Sequence, residues 1–505
     1  MTVDLAGLRT ALVTGASSGI GRALAEALAA RGHDLVLVAR DRTRLEALAE
    51  RVRQQHAVGV EVLVADLTDP DGVARVGTRL TQTERPVDLV VNNAGDTVDA
   101  SLGDVDVERL RRHVALNLGA VLTLTRTALP AMVARGRGAV VNVASVDVFV
   151  CKAGPAAVYS AGKVWVTVLT ESLAQELRGT GVHAMALCPG LTDTEFSERN
   201  EVGETAPRRL GARSWSPADM ADACLGDLAR GRVVSVPGVR FRVTATLGRL
   251  VPYRPLGVLP TLARRRRSGL AGVDSRRALI TSADSDLGGA VVRALLAAGT
   301  EVVLVGRTED RMARLVESLG SAEQQAVEVV VADLAEPSDR EDVCRRLRDQ
   351  DRPVDLVVLG VERPSSSTSF SGTPLDVLQS ELQAGPMAAL EVLRAALSAM
   401  SAGGGGRIVT LPDAAGLDPG QSPTDAFLLS LTRSLGIGVL GSKVDVVAVI
   451  PPRSGALSRH SRREITGATR SGSLVVAPPR VALFDLACRV VPRAVRRRLA
   501  TLIRR

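Results

Sequence analysis

The stretch of sequence that decides the fold occurs twice in this chain of 505 residues. Residues 10–21 read TALVTGASSGIG, and residues 277–288 read RALITSADSDLG. In both, a short apolar run passes through a turn of small residues into a helical pattern, which is typical of a strand followed by a tight turn and a helix. The second stretch replaces two glycines of that turn. The chain therefore encodes one structural unit twice, with an altered turn in the second copy.

The repetition extends far beyond this stretch. Residues 87–91 read VDLVV, and residues 354–358 read the same. Apolar runs alternate with amphipathic helical patterns in both halves, which is typical of a parallel sheet covered by helices on both faces. The sequence predicts an α/β fold with two doubly wound parallel-sheet domains in tandem. In the first half we expect strands at residues 12–14, 35–38, 60–64, 89–91, 140–143 and 184–187.

Arginine-rich segments mark the ends of both copies. The chain has a net charge of +8, and twelve arginines face one aspartate over residues 229–277, as eight face one over residues 480–505. We predict a first domain at 1–263, an Arg-rich linker at 264–276 and a second domain at 277–505. Each domain would end in a basic tail. These tails could close their domains, contact an acidic membrane surface or bind a partner protein.

Composition excludes several classes of function. The chain is only 2% aromatic, whereas single-stranded nucleic acids are usually bound by stacking aromatics, so no nucleic-acid partner is expected. No stretch resembles a membrane span or a signal peptide, which favours a cytoplasmic protein. The five cysteines lack the spacing of metal ligands, so we expect neither a metal site nor a disulfide framework.

The glycine-rich turn of the first copy is suited to a dinucleotide. Gly15, Gly19 and Gly21 lie where a pyrophosphate must approach the backbone closely, and a side chain there would block it. The helix predicted over residues 21–30 would direct its free N–H groups at the phosphates. A tight turn without a ligand is the alternative, but its position at the start of a strand–helix–strand unit favours cofactor binding.

The end of the second predicted strand indicates which dinucleotide is bound. Chains that bind NAD usually place an acidic residue there, whereas this chain has Arg40. A guanidinium suits a 2′-phosphate better than a hydroxyl, so NADP(H) is the preferred cofactor. The neighbouring Asp41 keeps NAD(H) open.

Three residues of the first copy could perform acid–base chemistry. Tyr159 and Lys163 stand four apart on a helix predicted over residues 157–177, so their side chains share one face. An ammonium beside a phenol favours phenolate, and we therefore expect a lowered tyrosine pKa and a general acid or base. Ser145, after a predicted strand, could donate a hydrogen bond to the same substrate oxygen.

These motifs together resemble the short-chain dehydrogenase/reductase family over residues 8–238. The resemblance rests on residues 14–21 (TGASSGIG), Asp66, residues 92–95 (NNAG), Asn117, Ser145, residues 159–163 (YSAGK) and residues 189–190. It implies a seven-stranded Rossmann sheet, Tyr159 as proton donor, Ser145 orienting the substrate, Lys163 also holding the nicotinamide ribose, and Asn117 supporting a proton-relay water. The cofactor contacts that it implies, together with the glycines and Arg40, are Ser17, Ser18, Ile20, Asp66, Leu67, Asn93, Ala94, Gly95, Tyr159, Lys163, Pro189, Gly190 and Thr194.

The second copy departs from this pattern at its chemical positions. Tyr159 aligns with Gln421 or Phe427, and Lys163 with Asp425 or Leu431, depending on where a gap is placed. The other replacements are Ser282 for Gly15, Asp286 for Gly19, residues 359–362 (LGVE) for residues 92–95 (NNAG), Gly385 for Asn117 and Asp413 for Ser145. We therefore expect a C-terminal copy that binds no dinucleotide and transfers no hydride. A new acidic site from Asp413, Asp425 and Glu362 is the alternative to simple loss.

The family commonly dimerises through the helices represented here by residues 105–132 and 157–177. The degenerate copy could supply that surface within one chain, giving an intramolecular pseudo-dimer with one active site.

An apolar substrate, a ketone, aldehyde or secondary alcohol, is expected from the residues beside the site, namely Phe149, Val150, Leu191, Phe196 and Trp215. The sequence therefore favours an NADP(H)-dependent oxidoreductase. The alternative is a non-enzymatic dinucleotide-sensing or scaffold protein built from two Rossmann units.

Overall fold

Two parallel sheets of the same design form the protein. A computed structural model describes residues 2–98, 100–149, 154–196, 214–250, 276–360, 369–412, 422–439, 442–449 and 475–476. Within them lie two seven-stranded sheets, ordered β3-β2-β1-β4-β5-β6-β7 and β10-β9-β8-β11-β12-β13-β14. The strand order reverses between β1 and β4, and between β8 and β11. A crevice opens at such a switch point, at the carboxyl ends of the strands, where open α/β sheets bind ligands.

The first copy has strands and helices that alternate along the chain. Its strands are β1 (Thr10–Thr14), β2 (Asp34–Ala39), β3 (Val60–Val64), β4 (Leu89–Asn92), β5 (Gly138–Val143), β6 (Val182–Leu187) and β7 (Val234–Ser235). Its helices are α1 (Gly19–Ala29), α2 (Arg42–Gln55), α3 (Pro70–Leu80), α4 (Val107–Val114), α5 (Ala120–Ala134), α6 (Ala156–Glu176), α7 (Pro217–Ala229) and α8 (Val239–Leu250). A π-helical turn at Ala115–Gly119 joins α4 to α5, and a 3-10 turn occupies Val146–Phe149.

The second copy repeats the series. Its strands are β8 (Arg277–Ile280), β9 (Glu301–Gly306), β10 (Val327–Val331), β11 (Leu356–Gly360), β12 (Gly406–Leu411), β13 (Val444–Val449) and β14 (Val475–Val476). Its helices are α9 (Asp286–Leu296), α10 (Glu309–Glu317), α11 (Ser321–Gln324), α12 (Pro337–Arg348), α13 (Leu375–Leu382), α14 (Ala388–Gly403) and α15 (Pro423–Gly438). A π-helical turn at Gln383–Met387 joins α13 to α14, at the same place as in the first copy.

Local sequence explains why these elements form. The central strands are apolar throughout, as in Leu12 and Val36, which are buried because helices cover both faces of the sheet. Helices begin where a side chain caps the first turn and a proline follows, as at Asp69, which accepts a hydrogen bond from the backbone N–H of Asp71, and at Ser216, which accepts one from that of Asp219. The predicted fold class, two tandem doubly wound parallel sheets, is confirmed.

The linker and the basic tails fall largely outside the described residues. Of the linker 264–276, only residue 276 is described, so the boundaries at 263 and 277 stay predictions. Of the first tail, Val239–Leu250 forms a helix. Contrary to expectation, residues 107–134 are long and apolar enough to span a bilayer by length and composition, but 61% of that apolar window is buried inside the fold, as in a core helix.

Helices of the two copies pack against each other through one shared apolar core. The helix Ala156–Glu176 lies against Pro423–Gly438, and their buried apolar residues belong to one cluster that includes Val166 and Leu431. The first of these helices matches residues 157–177, which the sequence predicts to form part of the surface between the two copies. The sheets are therefore joined by helix packing rather than by strand pairing.

Polar contacts across this boundary are reciprocal. The Nε of Arg126 donates to the backbone oxygen of Thr373 at 3.0 Å, and the Nε of Arg394 donates to the backbone oxygen of Val105. Each residue of the second copy lies 268 positions after its counterpart in the first. Exchange of the two copies therefore reproduces the contact, as across a two-fold axis.

A second reciprocal pair has diverged in chemistry. The Nε of Arg111 contacts Glu391 Oε1 at 2.8 Å, forming a salt bridge. At the mirrored positions, the side-chain amide of Gln379 donates to the hydroxyl of Thr123 at 3.2 Å. The two symmetry-related contacts therefore differ: one is an ion pair and the other is a neutral hydrogen bond.

Candidate active site

The turn after β1 is held in shape by Asn93. The Asn93 side chain donates to the backbone oxygen of Thr14 at 2.9 Å, and the Thr14 hydroxyl accepts from the backbone N–H of Asn93 and Ala94. Gly15 has φ of +66°, and a Cβ there would lie 2.8 Å from Asn93 Nδ2. A Cβ on Gly21 would lie 2.4 Å from Gly15 O. Glycine is therefore required at both positions by the approach of protein atoms.

The first turn of helix α1 presents unoccupied N–H donors to the crevice. Ser18 precedes this helix, and its side chain caps none of the first-turn N–H groups, all of which lie within residues 2–98. The first turn also carries no acidic residue. Gly19 has φ of +54°, which is a backbone conformation that favours glycine. Ser17 and Ser18 flank this opening half-buried, whereas Ile20 packs into the core. Helix dipole and free donors make this an anion site.

Arg40 lies at the end of β2 beside Asp66. Its side chain is 74% exposed, and its Nη1 lies 3.7 Å from Asp66 Oδ2. Burial opposes ionisation of Asp66, but hydrogen bonds from Thr68 and the charge of Arg40 hold its pKa below the ordinary value. Leu67, by contrast, is buried in a core cluster beside the sheet.

The chain after β6 crosses the crevice. Pro189 is buried and its carbonyl accepts from the N–H of Val146. Further along, the side chain of Thr194 lies 3.3 Å from the position of a Cβ on Gly19, and Glu195 forms an ion pair of 2.7 Å with Arg44. This segment therefore lies over the start of α1, as a cofactor-covering segment would.

Ser145, Tyr159 and Lys163 meet at the carboxyl end of the sheet. The Ser145 hydroxyl lies close enough to the Tyr159 phenol to lower its pKa, and the ammonium of Lys163 lies 5.6 Å from the centre of the Tyr159 ring. Lys163 is 5% exposed and donates to the backbone oxygen of Val143 at 2.9 Å. The structure thus brings together the three residues that the sequence singled out.

The expected direction of the tyrosine pKa is wrong for this arrangement. Burial and the charge of Asp147 raise the pKa of Tyr159 above its ordinary value, although the hydrogen bond with Ser145 opposes them. Lys163 Nζ lies 5.6 Å from the ring centre and does not offset this rise. Burial instead lowers the pKa of Lys163 itself to about 8. Tyr159 is therefore a protonated phenol, the form that donates a proton.

Asn117 contributes an unsatisfied acceptor to the same site. It lies in the π-helical turn, buried, and its Nδ2 donates to Asp96 Oδ1 at 2.7 Å. Its Oδ1 is buried and has no hydrogen-bond partner among the described residues. A Cβ on Gly95 would lie 2.8 Å from that oxygen and 3.5 Å from the ammonium of Lys163. Such an acceptor fits a bridging water.

Sequence reasoning missed the charged group behind Asn117. Asp96 accepts from His113 Nδ1 at 2.8 Å and also from Arg109. Burial opposes ionisation, yet hydrogen bonds from His113 and Arg109 hold the Asp96 pKa well below its ordinary value. One signal was present: Arg109 and His113 are four apart on one helix face, and so are His113 and Asn117.

Apolar and aromatic side chains surround this polar group. The rings of Tyr159 and Phe196 are 6.2 Å apart, and Phe149 is buried beside them in the core. A Cβ on Gly190 would lie 2.2 Å from the ring of Phe241, a residue that sequence reasoning missed, and Trp215 lies against Gly238 close to the same ring. Leu191 is half-buried nearby in sequence, and Val150 lies outside the described residues.

The corresponding turn of the second copy is filled by its own side chains. Ser282 keeps the left-handed backbone of Gly15, with φ of 53°. Ser285 caps helix α9 by accepting from the N–H of Gly288, and Asp286 adds an acidic residue to the first turn. Asp284 accepts from the N–H of Thr308 at 3.3 Å. The backbone N–H groups of the first helical turn are uncapped in the first copy. In the second copy, Ser285 caps this turn and Asp286 adds a negative charge to it.

The element bounds decide between the two alignments of the second copy. The last residues of α6 and α15 are Glu176 and Gly438, and β6 and β13 begin at Val182 and Val444; both pairs differ by 262. The gap therefore precedes α15, and Lys163 corresponds to Asp425, which is buried. The partner of Tyr159, Gln421, lies outside the described residues, as do Asp413 and Glu362.

Two regions of the chain match the same protein-family model. The model of the short chain dehydrogenase family matches residues 9–204 and, separately, residues 276–463. The chain belongs to the short-chain dehydrogenase family. The predicted recognition of a tandem duplication is confirmed, and so is the predicted class of enzyme, a short-chain dehydrogenase/reductase that uses a nicotinamide dinucleotide.

Individual relatives of this short-chain dehydrogenase match one copy's length. An uncharacterised oxidoreductase of Staphylococcus saprophyticus is 33% identical over 46% of this chain and 97% of its own length. The 1-deoxy-11-beta-hydroxypentalenate dehydrogenase of Streptomyces exfoliatus is 39% identical over 42% of this chain and 77% of its own. Among solved structures, a short-chain dehydrogenase from Sphingobium yanoikuyae in complex with NADPH is 35% identical, covering 52% of this chain and 98% of that one, with a TM-score of 0.44.

Proposed function

We propose that the N-terminal copy is an NADP(H)-dependent carbonyl reductase or alcohol dehydrogenase for an apolar ketone, aldehyde or secondary alcohol. The arrangement of Ser145, Tyr159 and Lys163 carries this proposal, because a protonated phenol beside a serine hydroxyl is a proton donor suited to a substrate oxygen. A protein that only sensed or scaffolded a dinucleotide would not need that donor.

The residues of the crevice fit the cofactor. The uncapped start of α1 would hold the pyrophosphate, and the exposed guanidinium of Arg40 would bind a 2′-phosphate. Bound there, the nicotinamide would supply or accept the hydride. Lys163 and the unsatisfied Asn117 Oδ1 would hold the water that returns a proton to Tyr159.

In the reductive direction, Tyr159 gives its proton to the substrate oxygen as negative charge develops there. Ser145 donates a hydrogen bond to the same oxygen and stabilises that charge. The ammonium of Lys163 lies close enough to stabilise the phenolate that remains. In the oxidative direction, the same groups act in reverse, with Tyr159 as base.

The apolar surroundings of the site support the substrate class. The ring of Phe196 lies 6.2 Å from that of Tyr159, and the ring of Phe241 packs against Gly190, in a chain that has only ten aromatic residues in all. Such side chains bury apolar surface and offer few partners to a charged acid. The Streptomyces exfoliatus relative, whose name gives a hydroxypentalenate as its substrate, agrees with a hydroxyl or carbonyl as the reacting group.

We also propose that the C-terminal copy binds no dinucleotide and serves as a built-in dimerisation partner. Ser285, Asp284 and Asp286 occupy or oppose the phosphate position, and Asp425 stands in place of the catalytic lysine. The reciprocal contacts of Arg126 and Arg394 support an intramolecular pseudo-dimer.

Replacement of the tyrosine tests the catalytic proposal. Tyr159→Phe should lower turnover of NADPH with an apolar ketone by about a thousandfold, because loss of a general acid costs about 10²–10⁴. NADPH affinity and thermal stability should stay close to those of the unaltered protein. Gln421→Tyr in the second copy, added to Tyr159→Phe, is the matched control and should restore nothing. Full turnover by Tyr159→Phe would refute the mechanism.

A further inference from the structure

Helix α4 (Val107–Val114) contacts the second copy with one face. Its Arg111 donates from Nε to Glu391 Oε1 at 2.8 Å. Glu391 belongs to the helix Ala388–Gly403 of the degenerate copy and is 3% exposed. A buried carboxylate of one copy is therefore paired with a cation on a helix of the other.

Glu391 is a fixed anchor within its own copy. Its second oxygen accepts from the Nε of Arg340 at 3.1 Å. Arg340 is 1% exposed, and its other nitrogens donate to the backbone oxygens of Leu334 and Ala335 and to the side chain of Gln383. Because several hydrogen bonds hold the groups of this cluster in place, the Glu391 carboxylate is a fixed partner for Arg111.

The opposite face of α4 holds the active site. Arg109 and His113 both donate to the carboxylate of Asp96. Asp96 in turn accepts from Asn117 Nδ2, so the amide must direct Oδ1 the other way, toward Gly95 and Lys163. The helix that Glu391 holds therefore carries the residues that decide the orientation of Asn117.

We propose that the degenerate copy positions the catalytic Asn117 of the intact copy, through Glu391, Arg111, helix α4 and Asp96. The inference rests on the proposed function and adds a role for the second copy to it. Glu391, Arg111 and Asp96 are positioning residues, because none of them touches the reacting atoms. Any of them, once removed, should release α4 and the Asn117 amide without emptying the site.

The reciprocal boundary supplies a control within the same molecule. Gln379 and Thr123 occupy the mirrored positions, and their hydrogen bond joins α13 to α5 instead of reaching α4. Gln379→Ala therefore removes a polar contact across the same boundary that involves neither helix α4 nor Asp96.

The experiment compares full-length Glu391→Gln, Arg111→Gln and Gln379→Ala. The two variants of the ion pair should each lower kcat for ketone reduction by roughly three- to tenfold, with KM and NADPH affinity nearly unchanged. Gln379→Ala should leave kcat unchanged. In an Asp96→Asn background, Glu391→Gln should have little further effect, because both changes act on the same step.

Hydrogen exchange separates this inference from the proposed reaction. Backbone amides of residues 107–119 should exchange faster in Glu391→Gln and Arg111→Gln than in Gln379→Ala. Unchanged exchange there, or an equal loss of kcat in all three variants, would overturn the inference. If the unaltered protein reduced no carbonyl while exchange still responded, the proposed reaction would fail and the mechanical link between the copies would stand.

Discussion

The start of the first helix differs between two copies of the same sheet. In the N-terminal copy, Ser18 leaves the first-turn donors of α1 uncapped, and Gly19 places no side chain over them. In the C-terminal copy, Ser285 caps α9 and Asp286 brings a negative charge into its first turn. Strand order and π-helical turn are otherwise the same. The difference teaches that the fold is kept when the side chains of this turn change, and we propose that cofactor binding depends on those few side chains.

The largest effect should come from making the first turn resemble the second. Gly19→Asp places a carboxylate where the pyrophosphate would sit, and like charges at such a distance cost several kcal/mol, so NADPH should bind at least about a hundredfold more weakly. The converse change, Asp286→Gly, should leave calorimetric stoichiometry at one NADPH per chain, because Ser285 still caps the helix. Two bound NADPH in the unaltered chain would break the comparison.

Cofactor choice should depend on one exposed cation of the first copy. Arg40→Ala removes a charge-assisted contact with the 2′-phosphate, which should weaken NADPH binding by about ten- to a hundredfold. NADH has no such phosphate, so its affinity should change little. Fluorescence titration with both nucleotides measures the ratio, and an equal loss for the two would show that Arg40 does not read the phosphate. Arg307→Ala at the matching place in the second copy should change neither value.

The lysine of the first copy should set the alkaline limit of activity. Burial lowers the pKa of Lys163 to about 8, so its charge is present below that pH and is lost above it. For ketone reduction, kcat/KM should fall by about tenfold per pH unit above this value, since that ratio reports the free enzyme. Lys163→Arg should move the limit upward, because arginine keeps its charge. Lys443→Arg, an exposed residue of the second copy, should leave the profile in place, and a flat wild-type profile to pH 10 would contradict the assignment.

The smallest effect concerns stability. Ser285→Ala removes a helix cap and should lower the free energy of unfolding by about 1 kcal/mol. Ser18→Ala removes no cap and should change it by far less. Denaturant unfolding of the two variants measures the difference directly. Equal losses would mean that the two helix starts are alike after all.

Most of the fold could be predicted from the sequence. The six strands predicted for the first copy begin and end within two residues of the predicted bounds, as at Val60–Val64, because buried parallel strands are continuous apolar runs. Ser145, Tyr159 and Lys163 could be placed together because the carboxyl ends of parallel strands meet at one edge. The repeat itself showed that the second sheet would copy the first.

The rest depends on distances that no local pattern encodes. Burial and the charge of Asp147 raise the pKa of Tyr159, and a spacing of four residues from Lys163 shows neither. Asp96 and His113 are far enough apart in sequence that only the packing of α4 shows them as one group. Phe241 comes from a helix beyond the last strand, and its contact with Gly190 follows from how the chain folds back.

The paired arginines at the boundary have one further consequence. Arg126 and Arg394 each bind a main-chain oxygen, and every amino acid offers that acceptor. Substitutions at Val105 or Thr373 should therefore leave the contact intact, whereas almost any exchange at Tyr159 should end the proposed chemistry. A duplicated protein joined in this way can lose one of its two reaction centres by mutational drift and still keep its halves together.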